Sequence, residues 1–190
     1  MQHKIHDAQK NSLGFWIYLM SDCMLFATLF AAFAVLRNNT FGDVSLGSLV
    51  NGGYVLTQTI LLLFSSYTAS VAVSNIVTGS LKKVIFWLSA TMALGISFLV
   101  MEINEFTQLV HEGHGWQANA AMSSFFTLVG THGLHIAVGL IWAGTLVWLA
   151  NRRGLAKVEN KLKLFSMYWH FLDVVWICIF TVVYLRGLMS

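Results

Sequence analysis

Apolar residues dominate five long runs, and polar residues collect in the gaps between them. The runs cover roughly 14–36, 53–77, 84–106, 121–150 and 165–186. They are continuous, without the apolar–polar alternation of a half-buried strand. A helix of about 20 residues crosses a hydrocarbon core about 30 Å thick, and each run reaches that length. In lipid the backbone of such a run can satisfy its hydrogen bonds only as a helix. The pattern therefore predicts an all-α membrane protein, a bundle of five transmembrane helices in a single domain over 14–190, preceded by a polar tail over 1–13. The fourth run has 30 residues, so it is expected to tilt or protrude. The chain has no proline, so no proline kink is expected.

Composition agrees with this picture. Of the 190 residues, 57% are hydrophobic and 10% are charged, well below the roughly 25% charge of soluble domains. The net charge of +3 suggests a nucleic-acid partner only until the basic residues are placed. Lys4, Lys10, Lys82, Lys83, Arg152, Arg153, Lys157, Lys161 and Lys163 fall on one side of the predicted bundle, and Arg37 and Arg186 on the other. This bias follows the positive-inside rule. It predicts a cytoplasmic N-terminus, a C-terminus on the periplasmic side, and no nucleic-acid role. The polar tail and the length of the first run do not fit a cleaved signal peptide, so the first run is expected to remain as a span.

Little in the sequence suggests soluble-enzyme chemistry. There is no Gly-rich phosphate loop, no GxSxG and no HExxH. Cys23 and Cys178 lie in apolar runs and form no ligand pair. His3 and His6 are too few for a metal site and read as part of a solvated tail. The loop HEGHG at 111–115 reads as an exposed polar turn, because it lacks further spaced ligands. No catalytic, cofactor-binding or metal-binding residue is expected in this chain.

The chemistry that stands out lies inside the spans. Ionisable groups in a membrane are costly and need a partner or a function. The first span carries Asp22, the third Glu102 and Glu105, the fourth His132 and His135, and the fifth His170 and Asp173. The last three pairs have i,i+3 spacing, so the members of each share a helix face. Counting rise from the cytoplasmic ends puts Asp22 and Asp173 about 12 Å deep, and Glu102 and His132 about 27 Å deep. Two layers are therefore expected, each pairing carboxylate with imidazole. The inner layer holds Asp22, His170 and Asp173, and the outer layer Glu102, Glu105, His132 and His135. Three uses remain open: structural polar contacts between helices, a proton path, or haem ligation. The second span is rich in hydroxyls, and Ser66, Ser70 and Ser74 recur every four residues as a packing face.

Four segments together carry a resemblance. They are GFWIYLMSDC at 14–23, MEINEF at 101–106, GTHGLH at 130–135 and YWHFLDVVW at 168–176. In this order, on these helices, the chain resembles subunit III of the haem–copper oxidases, most closely the short form of cytochrome o ubiquinol oxidase. The resemblance implies a non-catalytic accessory subunit of a proton-pumping terminal oxidase in the bacterial inner membrane. It would pack beside subunit I, which carries the haems and copper. It would support assembly and hold phospholipid in a cleft between its helices. Asp22 stands where the longer, cytochrome c-linked forms have a glutamate. Those forms have two further helices, which would precede Gly14. The competing expectations are a b-type cytochrome that itself carries haem, and a small transporter.

Overall fold

The computed structural model describes residues 2–37, 52–77, 79–113, 117 and 119–185. Helices α1 (Gln2–Leu36), α2 (Gly52–Val77), α3 (Leu81–His111), α4 (Ala120–Arg153) and α5 (Glu159–Ile179) follow one another. A 3-10 turn over Leu155–Lys157 joins α4 to α5, and α5 runs on into a wide π-helical turn over Phe180–Leu185. All five helices contain a stretch long and apolar enough to cross a membrane. The protein is thus an all-helical, multi-pass membrane bundle, and no strand occurs among the described residues.

The helices are longer than the apolar runs. Residues 2–13, expected as a tail, continue α1 as helix. Nothing in that stretch breaks a helix, since it has neither proline nor glycine. Likewise α4 has 34 residues and α5 starts at Glu159, six before the expected span. Apolar runs mark where lipid begins, whereas helical hydrogen bonding carries on into the polar flanks. The start of α4 is set by Asn119, whose side chain accepts the Met122 backbone N–H at 2.8 Å. That contact satisfies one of the orphan donors of the first turn.

Packing is organised around α5. It touches α2, α4 and α1, while α3 packs against α2 and α4. Its buried face carries Phe165, Tyr168, Trp169, Leu172 and Trp176. Between helices in lipid, association rests on close contact and hydrogen bonds rather than on apolar burial. Trp169 shows both. Its indole N–H donates to Ser65 Oγ on α2 at 2.9 Å. Its ring lies against Gly139 of α4, where an added Cβ would sit 2.9 Å from Cζ3. Only glycine admits the indole there. By contrast α1 meets only α4 and α5 closely, so its far side faces outward through Ile17, Met20 and Met24.

Candidate functional site

Three polar clusters lie between the helices. The first joins α1, α4 and α5 at Asp22. Its Oδ2 stands 3.7 Å from His135 Nε2, within ion-pair reach but beyond a hydrogen bond. His135 Nδ1 lies 2.7 Å from the Thr131 carbonyl, so Nδ1 carries a proton. Attraction across the remaining gap therefore requires one further proton, on the imidazole or on the carboxyl. Tyr168 donates its hydroxyl to the His135 carbonyl at 2.9 Å, and its ring stacks with Tyr18, whose hydroxyl borders Asp22.

The expected inner layer is corrected here. Asp22 faces His135, which was assigned to the outer layer, and its partner is neither His170 nor Asp173. The physical reason is helix length. At 34 residues α4 is about 51 Å long, so it overshoots the hydrocarbon core. Depths counted from its basic end place His135 too far out.

The second cluster is a ladder between the antiparallel helices α2 and α5. Thr59 accepts the Trp176 indole N–H at 3.1 Å, and Ser65 accepts that of Trp169. Ser66 borders Asp173. Ser70 Oγ meets His170 Nε2 at 2.9 Å. His170 Nδ1 lies 2.6 Å from the Ser166 carbonyl, so Nδ1 bears the proton and Nε2 accepts from Ser70. His170 is thus tied to serines rather than to a carboxylate. The rungs were present in the sequence as a hydroxyl-rich second span. Choosing Ser65 over Thr57 as a partner requires the helix rotation, and Thr57 bonds only its own backbone.

The third cluster lies toward the other end, between α2, α3, α4 and the π turn. Gln58 donates to Glu105 Oε2 at 3.3 Å, and the Tyr184 hydroxyl borders the same carboxylate. The Glu102 carboxyl lies over Gly133, where an added Cβ would sit 2.5 Å from Oε1. His132 is fully buried, and neither ring nitrogen has a hydrogen-bond partner. Its ring stacks on Trp176 at 5.3 Å and meets Phe98 and Phe26 edge-on. The expected carboxylate–imidazole pairing in the outer layer is therefore not made. A neutral imidazole packs here as an aromatic plate. Gln58 and Tyr184 are the partners that sequence reasoning missed, and the only cue to Gln58 was an amide in an apolar run.

The haem-ligand alternative gains nothing from this geometry. His135 and His170 each spend one ring nitrogen on their own helix and present the other to Asp22 or Ser70. His132 is enclosed by rings. Among the described residues no group of three His, Cys, Asp or Glu stands close enough to hold a metal ion. Cys23 and Cys178 are free and exposed. In the 111–115 loop, His111 and Glu112 are exposed, while His114 and Gly115 lie outside the described residues, as do Arg186 and the side chains of His3 and His6.

Comparison with known proteins gives the same direction throughout. A cytochrome bo(3) ubiquinol oxidase subunit 3 from Pseudomonas aeruginosa is 48% identical over 184 residues, 96% of this chain and 88% of the relative. A quinol oxidase subunit 3 from Bacillus subtilis is 46% identical over 99% of this chain and 93% of its own length. A cytochrome c oxidase subunit 3 from Bacillus sp. strain PS3 is 44% identical over 97% of this chain and 89% of its own length. The family model described as cytochrome c oxidase subunit III matches residues 2–188. A five-helix bundle tied by buried polar contacts and matched to that family over nearly its whole length belongs to the cytochrome c oxidase subunit III family.

Proposed function

We infer that this chain is the subunit III of a proton-pumping terminal ubiquinol oxidase that reduces dioxygen to water, and that it is itself non-catalytic. The observation that carries the reading is the near full-length identity to relatives named as quinol oxidase subunits. Identity to a cytochrome c oxidase subunit is only slightly lower, so the fold serves both electron donors, and the choice of quinol rests on the first relatives. The clusters support a scaffolding role, because their hydrogen bonds run between helices of this chain. In this reading the haems and copper belong to subunit I, beside which the chain packs and whose assembly it supports. Phospholipid occupies the apolar groove of about 540 Å³ between α1 and α5, lined by Trp16, Leu19 and Phe171. The protein sits in the bacterial inner membrane with the basic loops and N-terminus in the cytoplasm, following the asymmetry of Lys and Arg.

The test is an optical haem spectrum with a metal assay, taken on the chain purified alone in mild detergent and again with everything that co-purifies. A colourless chain that gains haem only with a large partner is the expected result. Stoichiometric haem on the lone chain overturns the reading in favour of a b-type cytochrome.

A further inference from the structure

The third cluster holds more buried polar groups than hydrogen bonds. Gln58 is 0% exposed, and Glu102 and Tyr184 are 3% and 3% exposed. Gln58 spends an amide N–H on Glu105, but its Oε1 has no partner. Glu102 Oε2 has none either. The Tyr184 hydroxyl faces both carboxyls, yet no hydrogen bond closes. Two acceptors and one donor are thus left over within one cluster. Leaving such groups unsatisfied in hydrocarbon is costly. A water molecule offers two donors and an acceptor, and a buried water typically makes about three hydrogen bonds.

Charge makes a second demand. Glu102 and Glu105 share a face of α3 and lie close enough to repel. The elements packed against that face bring Tyr54 and Gln58 from α2, His132 from α4 and Tyr184 from the π turn. Trp176 of α5, stacked on His132, adds no charge. Among the described residues no Lys, Arg or His lies within ion-pair reach of either carboxyl. Two adjacent carboxylates without a counter-ion are not sustained in a span, so the pair keeps at least one proton.

The third observation is a way out. Tyr54 stands beside Glu105 and donates to the Met101 carbonyl at 2.9 Å. With Asn104, Thr107, Gln108, His111 and Glu112 it lines a polar cleft of about 580 Å³. That cleft lies at the end of α3 away from the basic loops. Glu105 is therefore one side chain in from water, and Glu102 one turn deeper.

We propose that Glu102 and Glu105, with Gln58 and Tyr184, form a hydrated proton-binding site that fills and empties through the cleft at Tyr54. One water bridges Gln58 Oε1, Glu102 Oε2 and the Tyr184 hydroxyl. The pair keeps its first proton and takes a second from water in the cleft, passing from one negative charge to none. Release returns that proton to the cleft. The site gives the chain a role beyond scaffolding, and it uses only this chain's own side chains, whichever electron donor the oxidase takes.

The test is infrared difference spectroscopy of the intact oxidase in sealed vesicles of known orientation, with the medium titrated on each side in turn. Acidifying the side opposite the basic loops should raise a carboxylic C=O stretching band that shifts in heavy water. The double variant Glu102→Gln with Glu105→Gln should lose that band. Tyr184→Phe keeps both carboxyls and removes the donor to the water, so it should shift the band. It carries the test alone if the double variant does not assemble. A band that survives the double variant, stays unmoved in Tyr184→Phe, or follows only the side of the basic loops overturns the proposal. So does loss of the band when sodium or potassium replaces choline at constant pH, which would make the occupant a metal cation.

Discussion

Replacing Gly139 by alanine tests how α4 and α5 are held together. The new Cβ would lie 2.9 Å from Trp169 Cζ3 and 3.1 Å from Tyr168 Cε1. Ordinary carbon contacts are about 3.5–4.0 Å, so one ring must move by about 0.6 Å or more. Trp169 has little freedom to do so. It is almost fully buried, its indole N–H is bound to Ser65, and Phe165 packs 5.4 Å away, ring centre to ring centre. Overpacking of this kind typically costs about 1–3 kcal/mol, partly offset by the roughly 1 kcal/mol by which alanine improves on glycine in a helix. Gly144, one turn and a half further along α4, is the control. A Cβ there meets only Met92 Cε at 3.6 Å, an ordinary contact. Gly144→Ala should therefore be neutral or slightly stabilising, and the difference between the two variants isolates the contact with Trp169. The assay is a thermal ramp of the purified complex, following retention of this subunit by gel filtration. Gly139→Ala should release the subunit at clearly lower temperature than Gly144→Ala. Equal behaviour of the two variants would show that the indole is not held as described.

Other outcomes follow from the same contacts. In a cycle of Trp169→Phe and Ser65→Ala, the coupling energy measured from subunit retention should be about 0.6–1.7 kcal/mol, the range of interhelical hydrogen bonds in membranes; additive effects would refute the bond. His132→Phe should assemble nearly as well as the parent, because the ring packs through its faces and its nitrogens have no partner, whereas His132→Ala should lose several kcal/mol through the cavity. Failure of His132→Phe to assemble would show that the nitrogens matter. Asp22→Leu should lower the yield of complex more in the parent than in a His135→Leu background, since breaking a buried pair leaves one group unpaired; equal losses would remove the Asp22–His135 pairing.

Much of the architecture is legible in the sequence, because apolar runs of span length admit only one kind of backbone in lipid. Their polar flanks are less so. Residues 2–13 continue α1 although their composition suggests a tail, since lipid solubility and helical hydrogen bonding end at different places. The ionisable residues of the spans were also plain in the sequence, and Asp22, Glu102, Glu105, His132 and Asp173 are buried. Their partners were not. Spacing along one helix fixes which side chains share a face, as with His132 and His135. Pairing across helices depends on rotation and overhang, which the run lengths do not encode. The overhang of α4 is why His135 meets Asp22, and rotation of α2 is why Ser65 and Ser70, rather than Thr57, form rungs with α5.

The ladder between α2 and α5 also imposes an order in time. A ribosome delivers α2 to the membrane long before α5 exists, at about 5–20 residues per second. Until then Thr59, Ser65 and Ser70 lack their α5 partners, and α2 is the least hydropathic of the five spans. Meanwhile the Thr59 and Ser65 hydroxyls donate to the Val55 and Leu62 carbonyls of α2 itself, and Thr68 bonds α3 through Thr91. A chain that stops short of Trp169 leaves that seam without its α5 rungs. The last helix made is thus the one that completes the bonding of the second.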